Sequence, residues 1–406
     1  MPGKLVPKIW QSNPILDAPA RYRRACAYEA FVPDELAGLG IHVDAPLAGL
    51  VSEAEEAIRR LNDERGSALT PLARLLLRTE SIASSKVEGL QLGVRELARA
   101  EARAESGRDT SPTAREVLAN IDAMTLAMDD AATAERFGED ELLAIHRRLM
   151  EHSPHKAIAG KIRTEQNWVG GNDYNPRGAD FVPPPAEEVP RLLSELYDAI
   201  EDDTLSPLMQ AALVHAQFET IHPFADGNGR TGRALVHVVF RRRGIAPRFL
   251  PPVSVVFAGA KDRYIAGLTR YREDGVAAWI EHFAAATVRA ARLARAYVGA
   301  VRKLQDEWRG QLRASGEAKR ADAAAWAIID ILPAHPMISA AVATAVTGRA
   351  RSRVFEAVQQ LERAGALLPL SDGTRNRWWE ARGLLDLIAQ LEAGELPETA
   401  SPANAP

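Results

Sequence analysis

Apolar residues recur at helical spacing on both sides of one polar, glycine-rich run near the middle of the chain. Residues 207–221 (PLMQAALVHAQFETI) have the pattern of an amphipathic helix, and residues 233–243 predict a second helix that Gly244 ends. Alanine-rich helical stretches are many, whereas aromatic residues make up only 6% of the chain. The pattern therefore predicts a mainly α-helical protein, with a tight loop between two helices at residues 222–232.

The C-terminal third has a different pattern. A long helix is predicted from Val276 to about Leu312, followed by a polar hinge at residues 314–320. Beyond the hinge the pattern predicts three helices and a hairpin with a Ser-Asp-Gly turn: helices Ala323–Leu332, Ser339–Val346 and Arg349–Ala364, then strands Leu367–Leu370 and Arg377–Glu380. This order predicts a winged-helix domain.

The central loop, His222 to Arg233 (HPFADGNGRTGR), concentrates reactive groups in twelve residues. Its glycines allow backbone N–H groups to approach an anion, and the start of the following helix adds attraction for negative charge. Its two arginines are forked donors suited to phosphate oxygens. A P-loop is excluded, because the lysine and the following Ser/Thr are missing and a helix, not a strand, precedes the run. The run predicts a polyphosphate site beside a histidine base.

The pattern His-x-Phe-x-Asp-Gly-Asn-Gly-Arg-x-x-Arg resembles the signature of the Fic domain family, whose similar members transfer AMP from ATP to a hydroxyl side chain of a target protein. The resemblance implies that His222 is the base, that Asp226 holds Mg²⁺, and that ATP is the donor. It also implies a set of nucleotide-binding residues: Gly227, Asn228, Gly229, Arg230, Thr231, Gly232 and Arg233, with Lys261 and Tyr264 near the adenine. For Tyr264, packing in the interior is the alternative.

Elementary chemistry agrees with these implied roles. A serine, threonine or tyrosine hydroxyl is a weak nucleophile near neutral pH, so its transfer reaction benefits from a positioned imidazole base. Mg²⁺ binds through one or two carboxylates together with substrate phosphates, so Asp226 alone is sufficient on the protein side. The other histidines form no Cys/His cluster and no H-E-x-x-H pair, so we expect no zinc site.

A second motif lies far upstream, at the end of a helix predicted between Thr70-Pro71 and Gly89. Glu88 falls at the C-terminal end of this helix, where a carboxylate opposes the helix dipole. Such a residue can be solvated without any role. The segment from Ser84 to Gly89 nevertheless resembles the Fic inhibitory motif, which implies that Ser84 and Glu88 belong to an inhibitory helix and that Glu88 pairs with Arg233.

Residues 160–185 resemble the Fic flap, a hairpin that binds target proteins. Trp168-Val169 predicts a short strand, Gly170-Gly171 a turn, and Phe181-Val182 the returning strand. Trp168, Val169 and Gly170 would bind a target segment by strand addition, through main-chain hydrogen bonds. The alternative is an ordinary surface hairpin in which Trp168 covers the core.

Composition limits the location and partners of the protein. The net charge of −4 gives no bulk attraction to nucleic acid or to an anionic membrane. Cys26 is the only cysteine, so no intramolecular disulfide forms. The first residues lack an apolar signal region, and no run of 18 uninterrupted apolar residues occurs. We therefore expect a cytoplasmic protein without a membrane partner.

The predicted organisation is an N-terminal region with the inhibitory helix (1–95), a Fic core (110–312), a winged-helix domain (320–395) and a disordered tail (396–406). Residues 348–383 carry seven arginines and four acidic residues. Arg349, Arg351 and Arg353 cluster at the start of the presumed recognition helix, where contacts to DNA would be made. The charge excess is modest, however, and winged helices also dock proteins, so docking to a target or a homodimer is the favoured alternative. Two hypotheses follow: a self-inhibited protein adenylyltransferase, or a DNA-binding regulator whose Fic module senses nucleotide without transfer.

Overall fold

The computed structural model describes residues 3–63, 69–105, 107–273, 275–316, 324–370 and 377–397. Helices dominate, and they are separated by short loops. The helices are α1 Ala45–Asn62, α2 Leu69–Val87, α3 Val94–Glu105, α4 Pro112–Asp129, α5 Glu139–Met150, α6 Val189–Glu201, α7 Pro207–Ile221, α8 Asn228–Arg242, α9 Val253–Gly259, α10 Lys261–Glu273, α11 Val276–Ala314, α12 Ala324–Ile331, α13 Ala340–Thr347, α14 Arg351–Arg363 and α15 Leu384–Glu392. The strands are β1 Gly3–Trp10, β2 Cys26–Pro33, β3 Met337–Ser339, β4 Leu367–Pro369 and β5 Trp378–Ala381. The mainly α-helical fold class is confirmed.

The chain forms two compact units, each built from three segments. The first unit comprises Met1–Glu55, Asp122–Ile245 and Ala260–Ala286. The second unit comprises Glu56–Ile121, Ala246–Gly259 and Thr287–Pro406. Within the described residues, no helix combines the length and the apolar composition needed to cross a bilayer.

Helix α7 is the central element of the first unit. Ser206 caps its N-terminus by accepting a hydrogen bond from the Met209 N–H, and Pro207 begins the helix. Every residue from Leu208 to Ile221 is buried, because α6, α8 and α10 pack around it. A helix buried on all sides is a rigid support, so the residues that follow its last turn are held in place.

The helix after the central loop begins earlier than the sequence predicts. α8 starts at Asn228 instead of Arg233, so Gly229 to Arg233 are helical residues and the loop covers only residues 222–227. The reason is Gly227, which adopts φ 80 at the N-cap position, where a side chain would meet Met150 and His146. The first helical bond then runs from the Thr231 N–H to the Gly227 carbonyl.

The predicted flap strands are absent. Val169 and Phe181 form a single antiparallel bridge, and glycines with positive φ (Gly170, Gly171 and Gly178) interrupt the backbone on either side of the intervening turns. An antiparallel hairpin that the sequence did not predict, β1 with β2, lies against this segment. The Phe31 N–H of β2 donates to the Val182 carbonyl at 2.9 Å. The flap is therefore an irregular loop supported by an N-terminal hairpin.

The second unit contains the predicted three helices and hairpin of the C-terminal third. Helices α12, α13 and α14 pack on one another, and β4 pairs antiparallel with β5, as expected. Two elements of this unit were not predicted from the sequence: β3, which pairs with the other edge of β5, and α15. Parts of three predicted features lie outside the described residues: the hinge beyond residue 316, the Ser-Asp-Gly turn at 371–373 and the tail beyond residue 397.

Candidate active site

His222 ends α7 in a left-handed backbone conformation, with φ 50 and ψ 58. Among the described residues it is the one non-glycine residue with positive φ, a conformation that costs roughly 1–2 kcal/mol for a residue with a Cβ. Its Nδ1 lies 3.3 Å from the Glu219 carbonyl oxygen, which can only accept a hydrogen bond. In the neutral ring the proton is therefore on Nδ1 and the lone pair is on Nε2, as a general base requires.

Arg163 binds the main chain around His222. Its Nε donates to the His222 carbonyl at 2.9 Å, and its Nη2 donates to the Ile221 carbonyl at 3.4 Å and to the Pro184 carbonyl at 2.6 Å. Nη1 donates to the Glu165 carbonyl at 3.0 Å. Burial lowers the pKa of Arg163 to about 10, so the guanidinium remains charged near neutral pH and complements the negative end of the α7 dipole. No local sequence signal marks Arg163 for this role.

The loop after His222 is closed by side chains. The Asn228 Oδ1 accepts from the Phe224 N–H at 2.9 Å, and its Nδ2 donates to the Phe224 carbonyl at 2.8 Å. Asn167 donates to the same carbonyl at 2.9 Å. The side chain of Asn228 thus fixes the loop, and its backbone N–H, with those of Gly229 and Arg230, belongs to the first turn of α8, whose N–H groups have no intrahelical partner.

Two arginines on the first turns of α8 are buried. Arg230 is 4% exposed, and within the described residues its Nε and Nη1 have no hydrogen-bond partner, while its Nη2 lies 3.9 Å from the Asp226 Oδ1. Buried guanidinium donors without partners are costly, so this site fits an anion such as a phosphate group. Arg233 is equally buried. Gly232 allows the close packing of α8 on α7, because a Cβ there would lie 2.5 Å from the Glu219 Oε1.

Asp226 is the carboxylate of the loop, and its side chain is 45% exposed. One oxygen accepts the Gly227 N–H at 2.6 Å, which orients the carboxylate next to the start of α8. Among the described residues, no group of three or more His, Cys, Asp and Glu could hold a metal ion. A single carboxylate fits Mg²⁺, which takes its other ligands from phosphates and water.

Histidines beneath the site are held neutral by burial. Burial lowers the pKa of His146 to about 4 and that of His215 to about 3. His215 Nε2 lies 2.9 Å from the hydroxyl of Tyr264, which is 3% exposed. Tyr264 therefore packs inside the first unit, which favours the packing alternative, while Lys261 is exposed at the start of α10.

The flap residues rest on the N-terminal hairpin. Trp168 packs edge-on against Trp10 with ring centroids 5.4 Å apart, and its Nε1 donates to the Asn172 carbonyl at 2.6 Å. Val169 remains 40% exposed, and a Cβ at Gly170 would overlap Asp180. Trp168 thus covers the hairpin, and its neighbours Val169 and Gly170 present the flap backbone.

The predicted inhibitory residues lie in the second unit. α2 ends at Val87, and Gly89 adopts φ 85, so the predicted stop is confirmed. Ser84 is buried on α2, and Glu88 follows the last helical residue with its N–H donating to the Ser85 carbonyl at 3.1 Å. The structure therefore confirms a carboxylate directly after the C-terminal turn of this helix.

Two regions of the chain match models of known protein families. Residues 136–240 match the Fic/DOC family model, and residues 48–129 match the model of the Fic/DOC family N-terminal region. Protein adenylyltransferase fic-1 of Caenorhabditis elegans is 36% identical over 115 residues, which is 28% of this chain and 21% of the relative. Protein adenylyltransferase Fic of Nematostella vectensis is 34% identical over 128 residues, 31% of this chain and 26% of the relative. The chain thus spans about a quarter or less of the length of these relatives.

Solved structures share the fold. A Fic family protein from Desulfovibrio desulfuricans superposes with a TM-score of 0.52 at 23% identity, covering 84% of this chain and 98% of that one. Fic-1 of C. elegans superposes with a TM-score of 0.51 at 23% identity, covering 64% and 74%. At this identity the likeness concerns the fold alone.

Proposed function

We propose that this chain, whose residues 136–240 match the Fic/DOC family model, is a protein adenylyltransferase that transfers AMP from ATP to a serine, threonine or tyrosine hydroxyl of a target protein. One observation carries the proposal: His222 lies just before one short loop, and the buried Arg230 guanidinium, with two donors that have no partner among the described residues, lies just after it. A base for the acceptor and an anion site for the donor are the two parts that phosphoryl-centred transfer requires.

In the proposed reaction, the target hydroxyl attacks the α-phosphorus of ATP and its proton moves to the Nε2 of His222. The bond between the α-phosphorus and the bridging oxygen breaks, and pyrophosphate leaves. Arg230, Arg233 and the N–H groups of the first turn of α8 hold the β- and γ-phosphates and align the donor. Asp226 would hold Mg²⁺, which neutralises phosphate charge when bound. The flap backbone at Val169 and Gly170 would bind the target segment.

We also propose that the enzyme inhibits itself through Glu88. A carboxylate directly after the C-terminal turn of α2 is disfavoured by the helix dipole, and pairing with Arg233 would compensate it. The same pairing would occupy donors that the γ-phosphate needs, so ATP would bind in a misaligned position. The sequence from Ser84 to Gly89 supports this role.

Intact-mass measurement tests both proposals. Wild type, Glu88→Gly and His222→Ala are incubated with ATP and Mg²⁺, alone and with a candidate acceptor protein. We expect one added AMP moiety or more on Glu88→Gly, little on wild type and none on His222→Ala. No adduct on any protein with Glu88→Gly, although ATP binds, would refute the transferase.

A specific observation favours a second candidate function, a DNA-binding regulator. Arg349, Arg351 and Arg353 are exposed around the start of α14, and within the described residues only Arg353 has a carboxylate within 4 Å, the Glu356 Oε2 at 3.8 Å. Cations at a helix N-terminus oppose the dipole, so helix stability does not account for them. Binding to DNA phosphates would account for these arginines, if residues 324–392 act as a winged-helix domain.

The second candidate is tested with the full chain and duplex DNA, by fluorescence anisotropy at increasing salt. DNA binding predicts a steep loss of affinity with salt, and Arg351→Ala with Arg353→Ala would flatten the slope by about two. Binding to DNA by a chain that transfers no AMP would favour the regulator. No binding at low salt would leave docking to a protein as the role of this surface.

A further inference from the structure

We propose that His146 is a positioning residue that holds the turn at Asp226 and Gly227 from below. The inference deepens the proposed function, because this turn carries the carboxylate for Mg²⁺ and leads into the phosphate-binding start of α8. His146 lies on α5, eighty residues from Asp226 in sequence, and is fully buried. Because its contact is to the main chain of the turn, it acts through the turn.

Both ring nitrogens of His146 have defined partners. Nε2 lies 3.0 Å from the Asp226 carbonyl oxygen, which only accepts, and the Gly160 N–H donates to Nδ1 at 3.0 Å. These partners require a neutral ring with its proton on Nε2. One imidazole therefore connects the main chain of the catalytic loop to the main chain that leads into the flap.

The face of the His146 ring and the turn at Gly227 also make close contacts. The ring of His146 stacks on Phe224 with centroids 3.7 Å apart and an interplanar angle of 2°. A Cβ on Gly227 would lie 3.3 Å from the His146 Nε2 and 3.0 Å from the Met150 sulfur. The turn therefore packs directly on α5, and the Nε2–H of His146 holds the Asp226 carbonyl in place.

Two amide variants separate the two ring nitrogens. In His146→Asn the side-chain amide reaches the position of Nδ1 and can serve Gly160, whereas in His146→Gln it reaches the position of Nε2 and can serve Asp226. His152→Gln, at an exposed position of the same segment, is the matched control. Hydrogen exchange of the peptide covering residues 222–230 is measured without nucleotide, and Mg²⁺-dependent ATP binding is measured by calorimetry.

We expect His146→Asn to raise exchange in residues 222–230 and to weaken Mg²⁺-dependent ATP binding by about tenfold, while His146→Gln stays within about threefold of wild type. Equal behaviour of the two variants, at equal Tm, would overturn the positioning role. If exchange differs as expected but wild type binds no ATP, the positioning role stands and the proposed function fails.

A second, independent observation concerns regulation: α2 and the C-terminal elements share one hydrophobic core. Residues of α2 pack in the same cluster as residues of α14, β5 and α15. The members from α2 are Leu72, Leu75, Leu76 and Ala83, and those from the C-terminal elements include Leu361, Trp379, Leu384, Ile388 and Leu391. We infer that the C-terminal elements control the helix that carries Glu88, and this inference rests on the proposed self-inhibition.

Charged groups link the C-terminal elements to the start of α3 and to α2. Arg95, six residues after Gly89, donates to the Glu380 Oε1 of β5 and to the Asp386 Oδ1 of α15, both at 3.0 Å. Glu392, at the end of α15, is buried near the charges of Arg78 and Lys86 on α2. A partner that displaces α15 or β5 would therefore disturb the C-terminal part of α2 and the start of α3, on either side of Glu88.

The coupling is tested with Arg95→Ala in wild-type and Glu88→Gly backgrounds. Arg136→Ala, which removes an exposed ion pair with Asp198 in the first unit, is the control. We expect Arg95→Ala to raise hydrogen exchange in residues 80–92 and to raise self-modification several-fold in wild type, without a further rise in Glu88→Gly. An equal rise in both backgrounds, or unchanged exchange, would overturn the coupling. If Arg95→Ala raises exchange but Glu88→Gly does not raise self-modification, the self-inhibition is refuted instead.

Discussion

Replacing Arg163 with Ala removes the donors that hold the backbone of His222. The carbonyls of His222, Pro184 and Glu165 lose hydrogen bonds of 2.6–3.0 Å, and that of Ile221 loses a longer one of 3.4 Å. His222 is then left in a left-handed conformation that the remaining contacts stabilise less. We expect the first unit to become less stable and the imidazole of His222 to become less well oriented.

The magnitude follows from these contacts. A buried acceptor left without a partner costs about 1–3 kcal/mol, and such terms are not additive within one network. We therefore expect Arg163→Ala to lower the free energy of unfolding by about 3–5 kcal/mol, which corresponds to a drop in Tm of roughly 10 °C. Arg163→Lys keeps the charge but not the planar fork, so its loss is expected to be about half as large.

The catalytic effect is expected to exceed the effect of destabilisation. A misplaced base loses roughly 10²-fold in kcat, while binding of ATP, which does not involve His222 directly, changes little. The matched control is Arg242→Ala, because Arg242 donates to the Ala134 carbonyl at 2.8 Å and pairs with Glu201, away from the catalytic loop.

Labelling of the protein by ATP that carries a labelled α-phosphate is measured for each variant at the same number of degrees below its Tm. If Arg163→Ala and Arg242→Ala lose kcat equally under that condition, Arg163 has no special role in positioning His222. A rise in the KM for ATP without a fall in kcat would also contradict the reasoning.

The remaining predictions concern the base, the metal, the inhibition and pH. His222→Ala is expected to abolish transfer with ATP binding retained, and Asp226→Ala to abolish the Mg²⁺ dependence of ATP binding, both measured by labelling and calorimetry. Glu88→Gly should raise self-modification, and Arg233→Ala should remain inactive even when combined with it, because the same arginine aligns the donor. The folded pKa of His146 is depressed to about 4, so its contribution is present above about pH 6.5 and is lost as pH falls toward 4. Denaturation measured between pH 7 and 4 should show the free energy of unfolding falling by up to about 1.4 kcal/mol per pH unit below pH 6.5, and by less in His146→Gln.

The loop at residues 222–233 stands out in the sequence because its reactive groups are contiguous. Twelve successive residues hold the histidine, the carboxylate and the arginines, and glycine marks the turn by its backbone freedom alone. The C-terminal helices and hairpin were also predicted, since their apolar periods and turn residues are local signals. The start of α8 was predicted five residues late, because the run from Gly229 to Arg233 has too few apolar residues to carry a helical pattern.

Other features depend on contacts between distant residues, and no local pattern encodes them. Arg163 reaches the His222 carbonyl across 59 residues, and His146 reaches Asp226 across 80. Trp168 packs on Trp10 of the N-terminal hairpin, a contact between residues far apart in the sequence that only folding creates.

The sequence by itself determined which reactive groups the protein has and the order in which the chain presents them. Tertiary structure decided which groups are neutral, which are buried, and which main-chain atoms they hold. The physical reason is that hydrogen bonding and burial depend on neighbours in space: a lone arginine or histidine acquires its role only when packing brings carbonyl groups within about 3 Å of its donors.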